Sequence, residues 1–452
     1  MSTRPVRKAA QRPVVALICV LLLAGCASAP LDRTELMPAP AVFESGRFDP
    51  FADVPPQARR LETEILFATD RDPAAEGDLE RHYSSRRGYL VRLGRARILH
   101  GEGELDWDTA TRLSLQVPRK PPYRLRVGAV EEIGVLARTA SPFTDPALLP
   151  ADPDASAAAF AEAVDRTLAR ARQRDIVVYV HGFKVPFENP LLVASELWHF
   201  LGYDGVLIPY SWPATPRLLA YFSDVETTGL SAHYLKETIQ FLRERTSAER
   251  VHILGYSAGT RLVLDALSML ALTGEAAGES RGTGARIGEV ILVGSDVDTG
   301  LFAAALANGV LDTSERLTVY LSGIDGALRF ENLVFGRERL GQLLDGDMPG
   351  HVAVALDAAD DLVLIDVTDA EDAGARSGHS YFRESPWVSS DILATLATGL
   401  GPAERGLERA RPDLPVWSYP PDFIPRLERA LAAAAAEREQ SDLSPETNRS
   451  PE

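Results

Sequence analysis

Ser257 lies in the run Val251-His252-Ile253-Leu254-Gly255-Tyr256-Ser257-Ala258-Gly259, with a glycine two places away on each side. A serine hydroxyl is a poor nucleophile until it is exposed and a base takes its proton. The G-x-S-x-G spacing answers the first need. It puts the serine on a sharp strand-to-helix turn, where a side chain two residues before or after would collide with the turn. The apolar residues ahead of Ser257 read as a buried strand, and Leu262, Val263, Ala266, Leu267 and Leu270 read as the inner face of the helix that follows. Such a helix directs N–H groups and the positive end of its dipole at negative charge developing beside the serine. The chemistry this suggests is acyl transfer through a covalent serine intermediate.

The base has to come from further along, because in sites of this kind the chain order is serine, acid, histidine. Of eight histidines only His351 and His379 follow Ser257. His351 precedes the apolar run 362–367, which reads as the last long strand. His379 follows that run in the small polar loop 373–381, at the carboxyl edge where a base must sit, and is the candidate. For the acid, Asp325 follows strand 316–321 and is preferred, with Asp296 and Asp298 after strand 290–294 as rivals. The acids not used would shape the pocket or cap the next helix. An oxyanion hole would take one N–H from Ala258 and another from Phe183, in the loop Val180-His181-Gly182-Phe183-Lys184. His181 reads as a structural residue of that loop. Tyr210, Trp212, Pro213, Tyr221 and Phe222 would either wall an apolar acyl pocket or pack in the core.

The elements that must hold these residues are strands alternating with helices. Short apolar runs at 175–180, 206–210, 250–255, 290–294, 316–321 and 362–367 read as buried parallel strands. Helical patterns fill 156–172, 190–201, 226–245, 258–272, 389–399 and 423–438. The expectation is an α/β fold with a mostly parallel central sheet flanked by helices. Residues 61–150 read as a β-rich N-terminal part, with strands at 65–69, 88–93, 113–117 and 123–127, and 151–440 as the core. The polar tail 441–452 reads as disordered.

Composition bounds the rest. The 452 residues carry a formal charge of −17 and no basic footprint, which argues against nucleic acid as a partner. No H-E-x-x-H motif is present, and neither metal nor organic cofactor is expected. Residues 1–25 have the form of a signal peptide: Arg4, Arg7, Lys8 and Arg12, then ten apolar residues from Val14 to Leu23, too few to span a bilayer. They end in Leu23-Ala24-Gly25-Cys26, which resembles a lipobox whose cysteine receives diacylglycerol. Ala27 in place of Asp favours, by that resemblance, outer-membrane anchoring, on the periplasmic or the outer face. Residues 26–60, rich in Pro and Ala, read as a tether from the membrane. Cys19 and Cys26 are the only cysteines, so the mature chain would hold no disulfide.

V-V-Y-V-H-G-F at 177–183, Y-S-W-P at 210–213, the G-Y-S-A-G turn, D-V-D at 296–298 and H-S-Y at 379–381 together resemble a bacterial α/β-hydrolase family of unknown function. Ala68-Thr69-Asp70-Arg71 resembles its early A-T-x-R strand, which extends the likeness over about 61–400. Members commonly carry H-S-M-G at the turn, and Tyr256 and Ala258 depart from that at its variable places. The resemblance implies an α/β-hydrolase fold and a Ser-His-Asp site, and no substrate. The activity expected is cleavage of an ester or related acyl bond, small-molecule or lipid, in the cell envelope. An acyltransferase would use the same residues. The alternative is a non-catalytic lipid-binding or scaffold lipoprotein on the same fold.

Overall fold

The computed structural model describes residues 32–75, 82–103, 105–215, 221–277, 286–328, 339–343, 349–375, 378–410 and 414–442. The signal peptide, Cys26 and residues 443–452 lie outside them. Twelve strands form one sheet in the order β1-β4-β3-β2-β6-β5-β7-β8-β9-β10-β12-β11. In chain order they are β1 (Arg33–Glu35), β2 (Glu62–Pro73), β3 (Tyr83–His100), β4 (Arg124–Leu136), β5 (Asp175–Val180), β6 (Val206–Ser211), β7 (Arg250–Tyr256), β8 (Arg286–Val293), β9 (Ser314–Leu321), β10 (Leu362–Asp366), β11 (Glu408–Arg409) and β12 (Val416–Ser418). From β2 to β12 every neighbouring pair is parallel. Pairings β1–β4, β4–β3, β3–β2 and β12–β11 are antiparallel.

Both faces of the parallel part are covered, which is why β5 and β6 are buried along their length and apolar apart from Asp175 and Ser211 at their ends. Ile176, Val178 and Val180 of β5 join the core on one face, with Phe160 and Val164 of helix α2 (Ala155–Leu168). Val177 and Tyr179 join the other, with Leu191 and Leu197 of helix α3 (Glu188–Phe200). Each such side chain contributes about 1.5–3 kcal/mol by leaving water. The chain passes from β5 outward to β6, then back across β5 to β7 and on in the opposite direction. The crevice beyond the carboxyl ends of β5 and β7 is therefore a topological switch point, where sheets of this kind bind ligands.

Two expectations fail. Residues 113–117 do not form a strand. Asp106 caps helix α1 (Trp107–Ser114) by accepting from Thr109 N at 2.7 Å, and the apolar spacing of Leu113 and Leu115 serves packing onto one core instead. The expected tether is also packed in part, at intervals between residues 33 and 54. Arg33–Glu35 pairs with β4, and Leu36, Met37, Val42 and Phe51 are buried. Met37 N donates to Glu196 of α3 at 3.0 Å and Val42 N donates to Ser390 Oγ at 3.1 Å. Only residues 27–31 remain between Cys26 and the packed chain.

Candidate active site

β7 ends at Tyr256 and helix α5 (Gly259–Ala277) starts three residues later, leaving Ser257 and Ala258 to make the turn. Ser257 has φ +53°, a left-handed conformation that costs a non-glycine residue about 1–3 kcal/mol. Its N–H donates to Val293 O at 2.9 Å, and its carbonyl accepts from Thr260 N at 2.9 Å and Thr260 Oγ1 at 2.6 Å. Contact forbids a side chain at Gly259 and leaves little room for one at Gly255. A Cβ on Gly259 would lie 2.5 Å from the carbonyl oxygens of Val180 and His181, and one on Gly255 would lie 3.0 Å from Val263 Cγ2.

His379 Nε2 lies 2.9 Å from Ser257 Oγ, and His379 Nδ1 lies 2.6 Å from Asp325 Oδ2. An ionised carboxylate only accepts, so Asp325 holds the ring proton on Nδ1 and leaves Nε2 to accept from the serine hydroxyl. Asp325 is fully buried, and its other oxygen accepts from Ala327 N at 3.0 Å and Leu328 N at 3.1 Å. These bonds hold the carboxylate independently of the histidine. The ring of Tyr256 packs on the imidazole at 5.2 Å, while its hydroxyl lies 3.1 Å from Ser380 Oγ. Burial raises the Tyr256 phenol to about 12, so it stays neutral. Behind the imidazole stands Gly294, φ +56°, where a Cβ would come within 3.1 Å of His379 Cε1. Tyr381 ties this side together, accepting from Gly294 N at 2.7 Å and donating to Tyr320 O at 3.0 Å.

The rival acids are engaged elsewhere. Asp296 is buried against Arg261, whose Nε lies 2.9 Å from Oδ1. Asp298 caps helix α6 (Thr299–Ala307) by accepting from Gly300 N and Leu301 N. His351 is exposed on helix α7 (Gly350–Asp357).

The loop after β5 lies against the serine: a Cβ on Gly182 would be 2.8 Å from Ser257 Cβ. Phe183 follows in that loop, and Ala258 N–H lies at the opening of α5. His181 is buried, with Nδ1 2.8 Å from Gly182 O, and burial lowers it to about 3, so the ring is neutral. Trp212 stacks on it with ring centroids 5.3 Å apart and donates to His181 O at 2.7 Å. Trp212 and Tyr210 are fully buried core residues and do not wall an open pocket. Tyr221 and Phe222 begin helix α4 (Tyr221–Arg245), and their side chains lie outside the described residues. Sequence reasoning missed Gly294, Tyr381 and the part played by Arg71. Arg71 carried a signal, an arginine at the end of an early strand motif, and Tyr381 stood in the H-S-Y run at 379–381; Gly294 carried none.

Nothing among the described residues forms a cluster of three or more His, Cys, Asp or Glu able to hold a metal ion, and no described helix is long and apolar enough to cross a membrane. The sheet order, the strained serine turn at the switch point and the helices on both faces define an α/β hydrolase. Residues 156–396 match the family described as alpha/beta hydrolase of unknown function (DUF900), and the chain belongs to that family. The match begins at 156, so β1 to β4 lie outside it. Comparison with curated proteins finds no match, and neither does comparison with solved structures.

Proposed function

We propose that the protein is a serine acyl hydrolase of the bacterial cell envelope, cleaving a carboxylic ester or related acyl bond. The observation that carries this reading is His379, which bridges Ser257 Oγ at 2.9 Å and Asp325 at 2.6 Å. Ser257 Oγ attacks the acyl carbon as His379 Nε2 takes its proton, and Asp325 stabilises the imidazolium that forms. The oxyanion is met by the N–H groups of Ala258 and Phe183. His379 then protonates the leaving alcohol, which departs as the acyl-enzyme forms. A water deprotonated by His379 attacks that ester, releasing the acid and restoring Ser257. An alcohol acceptor in place of water would make the same site an acyltransferase. Diacylglycerol on Cys26 would hold the enzyme to the membrane by residues 27–31, a reach of at most roughly 18 Å.

The test is labelling of the protein by a fluorescent fluorophosphonate, beside Ser257→Ala and His379→Ala. Labelling lost in Ser257→Ala and strongly slowed in His379→Ala is expected. A well-folded wild-type protein that takes no label would overturn the hydrolase reading in favour of a non-catalytic lipoprotein.

A further inference from the structure

Arg71 ends the A-T-D-R run on β2, in the N-terminal layer, yet its side chain is buried beneath the loops of the candidate site. Its Nη2 donates to Val185 O at 2.8 Å, Nε to Ser211 Oγ at 3.0 Å, and Nη1 to Ser84 O at 3.3 Å and Ala214 O at 3.5 Å. Two of these acceptors flank Trp212, the residue that donates to His181 O. The loop 181–185 is thus held at its entrance by the Trp212 indole and at its exit by the Arg71 guanidinium. The same guanidinium braces the segment that carries the indole. Between the two anchors Lys184 has φ +63°, a conformation that persists in a non-glycine residue only where the surroundings enforce it.

We propose that Arg71 is a positioning residue for acyl transfer, holding loop 181–185 so that the Phe183 N–H points at the oxyanion. This rests on the hydrolase reading above. It makes the N-terminal layer, outside the family match, part of the reacting machinery. A guanidinium suits the task because its donors form a rigid planar fork, and four acceptors on three chain segments surround it here. Lysine brings one compact ammonium and cannot reach them together. Loss of a single preorganised oxyanion donor lowers kcat by about 10²–10³-fold. Partial misplacement of the loop should lower it less.

The experiment compares the full chain with Arg71→Lys, Arg71→Ala and Ser211→Ala, using hydrolysis of a p-nitrophenyl ester and fluorophosphonate labelling, with folding checked by circular dichroism. Arg71→Lys is expected to lower kcat by about 10–100-fold with KM within about twofold, and to slow labelling in parallel. Added guanidinium should restore part of the rate in Arg71→Ala, with the recovery in kcat and KM unmoved. Ser211→Ala removes one partner of the fork and should lower kcat several-fold at unchanged KM, which keeps the idea testable if the Arg71 variants do not fold. Folded Arg71→Lys with wild-type kcat, a loss confined to KM, or an unaffected Ser211→Ala would overturn it. Wild-type protein that takes no label would overturn this proposal and the hydrolase reading together, whereas a labelled wild type with indifferent Arg71 variants sinks this one alone.

Discussion

The two halves of the sheet solve opposite problems. Strands β5 to β10 are covered by helices on both faces, and their polar chemistry is pushed to the carboxyl ends, where Ser257, Asp325 and His379 meet. Strands β2 to β4 are antiparallel, and β4 alternates exposed and buried residues through its first half. Their outer face carries pairs such as Arg95–Glu131 and Arg97–Glu62. The difference teaches where a substitution should be felt. In the parallel half a change acts on reaction rate or core packing; on the antiparallel face it acts on little, unless the residue reaches across as Arg71 does.

The largest effects should fall on the parallel half's carboxyl edge. Ser257→Ala should lower kcat by about 10⁴–10⁶-fold, as removal of a serine nucleophile does elsewhere. Ser257→Gly should abolish activity as well while raising thermal stability, because glycine relieves the φ +53° turn, a gain of about 1 kcal/mol. A glycine variant no more stable than wild type would show that the turn is not strained. Next, Asp325→Asn should lower kcat by about 10⁴-fold through the wrong histidine tautomer. Asp296→Asn should instead leave kcat of the folded fraction near wild type while destabilising the fold by about 3–5 kcal/mol, since the largely buried Arg261 guanidinium loses the carboxylate charge it faces. Kinetics and thermal melts on the pair decide it, and the reverse pattern would make Asp296 the acid.

The two halves were also unequally legible. Doubly covered strands read as continuous apolar runs, so β5 to β10 could be located from sequence, and the serine turn with them. His379 and Asp325 could be picked out because each follows such a run. In the antiparallel part the run Leu113 to Val117 has strand-like alternation, but Asp106 upstream nucleates a helix. Residues 32–58 were illegible for another reason. Their apolar residues follow neither helical nor strand period, because short turns lay them one by one into grooves others provide. Phe51 shows this, packing on the ring of His199 at 4.6 Å and on Trp107 at 5.9 Å. Phe51→Ala should therefore destabilise the protein by about 3–5 kcal/mol in a denaturant melt. A tether would have given no change.

A smaller effect sharpens the boundary between the halves. His100 of β3 stacks on His199 of α3 at 5.5 Å, and burial lowers His100 to about 4 and His199 well below its ordinary value. In the unfolded chain both titrate near 6.5. Between pH 6.5 and about 4 the unfolded chain therefore binds more protons, and stability present above pH 6.5 is lost as the pH falls through that window. Asp70 works the other way, its carboxyl raised by burial to about 6, so its contribution fades as the pH rises through 6. Comparing wild type with His100→Gln isolates the histidine: the variant's midpoint should fall less between pH 7 and 5, and parallel curves would refute the assignment.

The least effect belongs to the outer face. Arg95 donates to both oxygens of Glu131 across β3 and β4, at 2.9 and 3.0 Å, a geometry as good as an exposed pair attains. Yet Arg95 is 38% and Glu131 62% exposed, so water and salt screen the attraction, and two long side chains lose freedom to make it. Arg95→Ala should lower stability by less than about 1 kcal/mol and leave kcat unchanged. Arg71, on β2 beside the parallel half and turned inward, has hydrogen bonds of similar length and should matter far more to the rate. If Arg95→Ala slowed labelling of Ser257 as Arg71→Lys is expected to, the antiparallel layer would be acting on the site as a whole, and the division between a reactive half and a supporting half would fail.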